Sequence, residues 1–270
     1  MNRRLSILLH WLRGRRNGVT TLELVRFLTS PAGRFKGRRL VVSLEETTDT
    51  YRVWLAESTE PLTWPKSIDL SWLYMVLAEQ YHPTDWHYYE IPETRVVTGD
   101  VVVDCGAGEG LFTFRVAGRA ERVFAVEPLP MWVACLHQTF QKWDNVEILP
   151  YALSNQNGTD RIQPAGLLSK LNDQGVVEVQ VKTIDDLFGG RGVRVTYIKA
   201  DLEGHDLRML QGAKHTILRH SPLIAVTTYH EPAHADLMMR FLRGLNPRYR
   251  FKLKGIEAQA GGPVMLHAWI

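Results

Sequence analysis

The chain has 270 residues, 45% hydrophobic and 23% charged, with a formal net charge of +3, which suits one full α/β domain plus an extension. The run of roughly 18 apolar residues that a membrane-spanning helix needs is absent, and two cysteines, Cys105 and Cys135, are too few for a disulfide framework or a zinc site and fit a cytoplasmic setting.

Residues 1–40 carry ten Lys/Arg against a single acid, Glu23, a charge of +9, so the other 230 residues carry −6. A basic head on an acidic body suggests an anionic contact: a peripheral membrane surface, a phosphorylated substrate or a nucleic acid. A solvated terminus is the plain alternative. Leu5–Leu12 follows basic residues as a signal peptide would, but it contains His10 and Trp11 and leads into Arg13-Gly-Arg-Arg16, so it reads as part of the mature protein.

Helical spacing of Leu5, Leu8, Leu9 and Leu12, repeated over Thr21–Leu28, predicts helix over 3–29, broken at Pro31-Ala-Gly33. Arg39–Leu44 and Tyr51–Ala56 read as strands around the polar turn Glu45–Thr50. Pro61 and Pro65 mark a loop. Ser71–Gln80 has a helical apolar face of Trp72, Met75, Val76 and Leu77. The aromatic segment Tyr81–Tyr89 suits either a sugar- or ring-binding lid or simple packing of an appended unit. Residues 1–95 are therefore expected to form an N-terminal α+β extension, and 96–270 the main domain.

From residue 96 short β-branched runs alternate with helical stretches, the signature of parallel βαβ units. The expected strands are Val101–Asp104, Arg122–Glu127, Val146–Leu149, Val195–Asp201, Leu223–Thr228, Tyr249–Leu253 and Val264–Trp269. Helices are expected over 110–118, 129–143, 205–219 and 233–244, with a further strand at Val176–Val181 and a short helix at Ile184–Phe188. Lys254–Pro263 is too short for a crossover, so the last two strands pair antiparallel.

Val101–Asp104 leads into Gly106, Gly108 and Gly110, where the absence of Cβ atoms allows a sharp turn and close approach of a ligand. The acid Glu127 closes the next strand, 23 residues after Asp104, where a carboxylate can accept from both hydroxyls of a ribose. The dinucleotide fingerprint needs Gly-x-Gly-x-x-Gly, and a pyrophosphate favours a helix N-terminus free of acids. Here the spacing is Gly-x-Gly-x-Gly, flanked by Asp104 and Glu109. S-adenosylmethionine, a sulfonium with an ammonium group and no phosphate, suits those acids better than NAD does. A mostly parallel seven-stranded sheet with an antiparallel last strand is the class I, Rossmann-like methyltransferase layout.

Asp104-Cys-Gly-Ala-Gly-Glu-Gly-Leu-Phe-Thr, Phe124-Ala-Val-Glu-Pro128, Asn145-Val-Glu-Ile, Ala152-Leu-Ser-Asn155, Val181–Leu187, Ile198-Lys-Ala-Asp-Leu-Glu-Gly204, Leu210-Gln-Gly-Ala213 and Pro222-Leu-Ile follow one another in order. From about 96 to 231 the chain resembles the FkbM family of methyltransferases. The resemblance implies O-methylation of a sugar, glycan or natural-product small molecule. The expected cofactor contacts are Asp104, Gly106, Ala107, Gly108, Gly110, Glu127, Pro128, Ala152, Leu153 and Asp201. The family usually has Asn in place of Glu109 and Asp in place of Asn155, and an acid near Thr227–His230.

Methyl transfer to an alcohol requires an oxygen held in line with the leaving sulfur and a group that removes its proton, or a metal that acidifies it. Asp201, Glu203 and His205 follow one strand and His230 the next, which brings them to the sheet edge that carries the glycine loop. They are the candidate catalytic set. Asp201 and His230 are the central pair, as a base or as ligands of a divalent metal such as Mg2+. Lys199 is a candidate partner for an acid of the site. The Asn/Asp-Pro-Pro-Tyr/Phe loop of base-amine methylation is absent at 201–204, which favours an oxygen acceptor. The competing readings are an RNA methyltransferase or nucleic-acid-binding protein using the basic head, and a non-catalytic binding module.

Overall fold

A computed structural model describes residues 2–56, 58–163, 170–171, 175–231 and 233–270. The expected helical stretch at the N-terminus is two helices, α1 (Arg3–Leu12) and α2 (Thr21–Thr29). Between them Gly14, Asn17 and Gly18 take positive φ values of 90°, 47° and 77°, a left-handed backbone that no helix can continue through. A capping box starts α2, with the Thr20 side chain accepting from the Glu23 amide and Glu23 accepting in return.

A third helix, α3 (Gly33–Arg38), lies where the sequence suggested only a break. It is short and highly basic, and it is held by close packing. A Cβ on its buried Gly37 would fall 1.7 Å from the Tyr74 carbonyl oxygen. Tyr74 belongs to α4 (Leu70–Tyr81), the helix expected over Ser71–Gln80, which starts with Asp69 accepting from the Ser71 amide. Between α3 and α4 run β1 (Val41–Glu46), β2 (Thr50–Leu55) and β3 (Leu62–Pro65), an antiparallel sheet in that order. The stretch between Pro61 and Pro65, expected as loop, thus contains a fully buried strand. Its proline is tolerated because β3 is an edge strand.

The central sheet has the order β13-β14-β12-β11-β4-β5-β6. Its strands are β4 (Val101–Cys105), β5 (Arg122–Val126), β6 (Val146–Leu149), β11 (Tyr197–Ala200), β12 (Leu223–Thr227), β13 (Arg250–Lys254) and β14 (Met265–Trp269). All run parallel except β14, which lies antiparallel between β12 and β13. The fold is the expected class I arrangement.

The strand expected from Val195 begins later, because the Thr196 hydroxyl takes over the pairing. It accepts from the Val101 amide and donates to Asp100. The helix expected over 205–219 is two, α8 (Asp206–Gln211) and α9 (Lys214–His220). They part at Gly212, where a Cβ would stand 2.1 Å from the Ser154 carbonyl oxygen. A second sheet, β7 (Ala152–Leu153), β8 (Gly158–Gln163), β9 (Lys170–Leu171) and β10 (Val177–Lys182), has the order β7-β10-β8-β9. Only β10 carried a readable alternation. In β8, Gly158-Thr-Asp-Arg-Ile-Gln163, Ile162 is the one buried residue.

The helices α5 (Leu111–Val116) and α6 (Pro130–Thr139) follow β4 and β5, α7 (Ile184–Gly189) follows β10, and α10 (His234–Leu245) precedes β13. One face of the central sheet (Val103, Phe124, Ile198, Ile224) packs on α7 to α10. The other (Val102, Val123, Tyr197, Ala225) packs on Ile7 of α1, Leu24 of α2, Phe112 of α5 and Trp86. The N-terminal helices therefore share a core with the sheet. Lys254 of β13 adds a polar tie, donating to the carbonyls of Asp85 and Tyr88.

Replacing Gly37 by alanine should force α3 away from α4 and cost about 1–3 kcal/mol. A urea-unfolding midpoint unchanged from the parent would refute this packing.

Candidate active site

The cavity sits at the carboxyl ends of β4, β5 and β11, where open α/β sheets bind ligands. Gly106 (φ 71°) follows β4, and a Cβ there would come 2.2 Å from the Asp201 carbonyl oxygen. Glycine is required for the first loop to approach the second. The Gly106 and Ala107 amides both donate to the Val126 carbonyl at 3.0 Å, which ties the loop to β5.

Glu127 follows β5 and is 6% exposed. Its carboxylate accepts from the Gly108 amide at 3.0 Å and the Leu129 amide at 2.9 Å. Burial still dominates and pushes its pKa up to about 7. Glu109, across the cavity, is also raised to about 7 by burial, and accepts from the Gln80 side chain of α4 at 2.8 Å.

Asp104 lies beneath the loop. It is fully buried, 2.9 Å from the Lys199 ammonium, and accepts from Thr113 at 2.8 Å. Lys199 also donates to the Gly106 carbonyl at 2.7 Å and lies over the Tyr89 ring. Asp104 and Gly110 thus stand behind the cavity wall. Gly106, Ala107, Gly108, Glu127, Pro128, Ala152, Leu153 and Asp201 line it.

On the opposite side Asp201, Glu203 and His205 line the cavity. Asp201 accepts from the Tyr89 hydroxyl at 2.7 Å and from Thr227 at 3.1 Å. Burial would raise its pKa, but His230, Lys199 and the Tyr89 hydrogen bond outweigh burial and lower it. Glu203 has φ 52°, an uncommon backbone state for a residue with a side chain. His230 lies behind the pair, its Nε2 3.3 Å from Glu203 and 3.7 Å from Asp201, its Nδ1 3.9 Å from Asp206. Burial favours the neutral ring, but Glu203, Asp201 and Asp206 overcome it and raise the pKa. Asp206 is fully buried and holds the turn, accepting from the Leu202 and Gly204 amides. His205 is the residue just before α8. Among the described residues, Asp201, Glu203 and His230 are the His and carboxylate group with ligand atoms within 4.8 Å of one another.

Tyr89, Gln80, Trp132, Asp206 and Thr227 belong to the site and were not singled out as functional residues from sequence. Tyr89 had a signal, since it ends the aromatic segment considered as a lid. Gln80 had none, because its partner is 29 residues away. Lys199 does pair with an acid, and that acid is Asp104.

The cavity is about 230 Å3 and has a predominantly apolar lining that includes Met75, Val76 and Trp132, with acids at both ends. S-adenosylmethionine fits these donors. Glu127 keeps acceptor capacity for ribose hydroxyls after its two amide bonds, glycines keep the loop low, and the acids complement a cationic ligand. Fold and site define a class I, S-adenosylmethionine-dependent methyltransferase. Residues 104–252 match the model of the methyltransferase FkbM domain, and the chain belongs to that family.

A crystal structure of methyltransferase FkbM from Methylobacillus flagellatus shares the fold with a TM-score of 0.52 at 20% identity, over 73% of this chain and 54% of that one. An rRNA methylase from Streptococcus thermophilus aligns with a TM-score of 0.43 at 15% identity, over 64% of this chain and 88% of that one. A probable ribosomal RNA small subunit methyltransferase A from Methanosarcina acetivorans matches at 44% identity over 50 residues, 18% of this chain and 19% of that protein. The chain thus spans about a fifth of the curated relatives it matches. Among the described residues no helix is long and apolar enough to cross a membrane.

Glu127 and Glu109 have folded pKa values near 7, above the ordinary 4.5. The folded state therefore binds their protons more tightly than the unfolded chain, and the ligand-free protein loses this stability as pH rises through that window. A cationic ligand favours their ionised forms. Calorimetric affinity for S-adenosylmethionine should rise from about pH 6 to about pH 8, with a shallower rise in Glu127→Gln. A flat profile in the parent would exclude this electrostatic account. Replacing Lys199 by methionine leaves Asp104 buried and unpaired, and should cost about 3–5 kcal/mol in chemical denaturation.

Proposed function

We propose that the chain transfers the methyl group of S-adenosylmethionine to a hydroxyl of a small acceptor, a sugar, glycan unit or natural-product-like molecule. The observation that carries this reading is the Asp201–Glu203 carboxylate pair, which lines a cleft that also takes in residues of α4, His87 and Tyr89. We also propose that the cofactor side of the site comprises the glycine loop, Glu127, Pro128, Ala152 and Leu153. Asp104 acts from below, through Lys199.

The bound cofactor supplies an electrophilic methyl on a sulfonium. The acceptor oxygen forms the new O–C bond as the C–S bond breaks, the electron pair stays on sulfur, and S-adenosylhomocysteine leaves. The hydroxyl proton passes to the carboxylate pair. Asp201 is already engaged by Tyr89 and Thr227, so it orients, and Glu203 is the better proton acceptor. The proton neutralises the Glu203 carboxylate, which His230 positions from behind at 3.3 Å. His205 borders the acceptor side of the cavity. Residues 1–95 act as the acceptor-binding extension, since α4 and the aromatic segment supply the roof.

A second reading rests on the 4.8 Å cluster of Asp201, Glu203 and His230, which would suit a divalent ion such as Mg2+ with oxygen and nitrogen ligands. The proton-transfer reading predicts turnover that survives chelation. Activity lost to a chelator and restored by Mg2+ would assign the metal role.

Glu203→Gln should lower the rate of S-adenosylhomocysteine formation by about 10²–10⁴-fold and leave S-adenosylmethionine affinity near that of the parent. Equal turnover by variant and parent on an accepted hydroxyl substrate would remove Glu203 from the chemistry.

A further inference from the structure

The acidic cavity has a basic neighbour. A second, larger cavity of about 620 Å3 opens where α1, α2, α3 and α4 meet. Arg3 and Arg4 come to it from α1, Arg26 from α2, and Arg34 and Lys36 from α3, against the two carboxylates Glu79 and Asp85. Among the described residues none of these five cations has a carboxylate within 4 Å. Arg4 donates to the Ser30 carbonyl, Arg3 lies over the Phe27 ring and Arg34 over the Phe35 ring. These contacts position the guanidinium groups, and the groove keeps five cations against two carboxylates, of which Glu79 feels the charge of Arg3. Three separate elements thus converge their cations on one concavity, and a concave site concentrates the field of its charges.

The two cavities share a wall. Trp72, Met75, Glu79 and His87 line both. A molecule long enough to pass this wall reaches from the inner cavity to the groove. The charges on either side of the wall are opposite. Carboxylates of Glu79, Glu109, Glu127, Asp201 and Glu203 face the inner cavity, where they suit a cationic cofactor and repel an anion. Its one lysine, Lys199, is already paired with Asp104.

We infer that the groove between α1, α2, α3 and α4 binds a phosphate or pyrophosphate group of the methyl acceptor, so that the substrate is a phosphorylated molecule whose uncharged, hydroxyl-bearing end enters the inner cavity. The inference rests on the methyltransferase reading of that cavity and adds the acceptor's chemical class. Arginine is suited to this role because its planar donor fork matches phosphate oxygens. The volume leaves room for more than one phosphate. The charge difference across the wall also fixes orientation, since an acceptor entering backwards would place its anion among Glu109, Glu127, Asp201 and Glu203.

The test uses the full chain and inorganic pyrophosphate as probe. Calorimetry at low salt should show saturable binding, weakened about tenfold or more in Arg26→Gln/Arg34→Gln. Both arginines are exposed, so the variant should fold. The S-adenosylmethionine-induced rise in melting temperature should be unchanged in it. A control variant, Arg13→Gln/Arg39→Gln, alters exposed cations of the same basic head that do not line the groove, and should bind pyrophosphate as the parent does.

No pyrophosphate binding, with the thermal shift intact, overturns this inference and leaves the methyltransferase reading standing. Absence of the thermal shift in the parent overturns the reading beneath it. Equal weakening in the control variant, expected of a membrane or nucleic acid lying across the whole basic head, overturns the groove. Vesicles containing an anionic phospholipid separate the sources of the phosphate. Vesicle binding lost in the groove variant alone assigns it to a lipid-linked acceptor, and its absence beside pyrophosphate binding assigns it to a soluble one.

Discussion

Lys199 is the point through which the site is held together. Its ammonium lies 4% exposed between Asp104, the Gly106 carbonyl and the face of Tyr89. Those three partners come from β4, from the glycine loop and from the N-terminal extension. Tyr89 in turn donates to Asp201, so one buried cation connects the glycine loop to the 201–206 loop. Desolvating an ion pair is costly, and such a pair contributes little net stability. It does fix geometry, because either member alone would be a buried uncompensated charge. Asp104 thus lies at the base of the cradle, while Glu127, after the adjacent strand β5, lines the cavity.

The surrounding electrostatics extend that arrangement. Burial raises both Glu109 and Glu127, and the charge of buried Asp104 adds to each shift. A cationic ligand relieves that strain by supplying the missing countercharge. On the acceptor side the countercharge is built in. His230 sits among Asp201, Glu203 and Asp206, and its raised pKa reflects their combined charge more than its burial. The two ends of the cavity thus differ: burial dominates at Glu109 and Glu127, and neighbouring carboxylates dominate at His230.

How much of this was readable depended on the range of the interactions. The parallel strands and the glycine loop are local patterns, and they were legible to within a few residues. The lengths of β11 and α8 were not, because Thr196 and Gly212 act through contacts with Asp100 and Ser154 that lie far away in sequence. The helix α3 and the strand β3 were hidden for the same reason. Their local sequences favour a break, and packing against Tyr74 and α6 residue Thr139 overrides that preference. In the site, the acids and histidines of 201–230 stood out by type and placement. Gln80 could not, since nothing about a polar residue on an amphipathic helix points to a partner on a distant loop.

The loop 201–206 shows why the acceptor side cannot be separated from the cofactor side. The Asp201 carbonyl fills the space that a side chain on Gly106 would need, so the two loops are in backbone contact. Glu203 then takes a left-handed conformation that Asp206 supports by accepting from the amides of Leu202 and Gly204, on either side of it. A backbone state of this kind persists only where its surroundings over-determine it. Here they do so in a way that turns the Glu203 side chain to the cavity with His230 behind it. Any shift of the glycine loop would move that carboxylate as well. The glycine loop and the 201–206 loop are therefore one structural unit, and α4 and Tyr89 are tied to it through the Gln80–Glu109 and Tyr89–Asp201 hydrogen bonds.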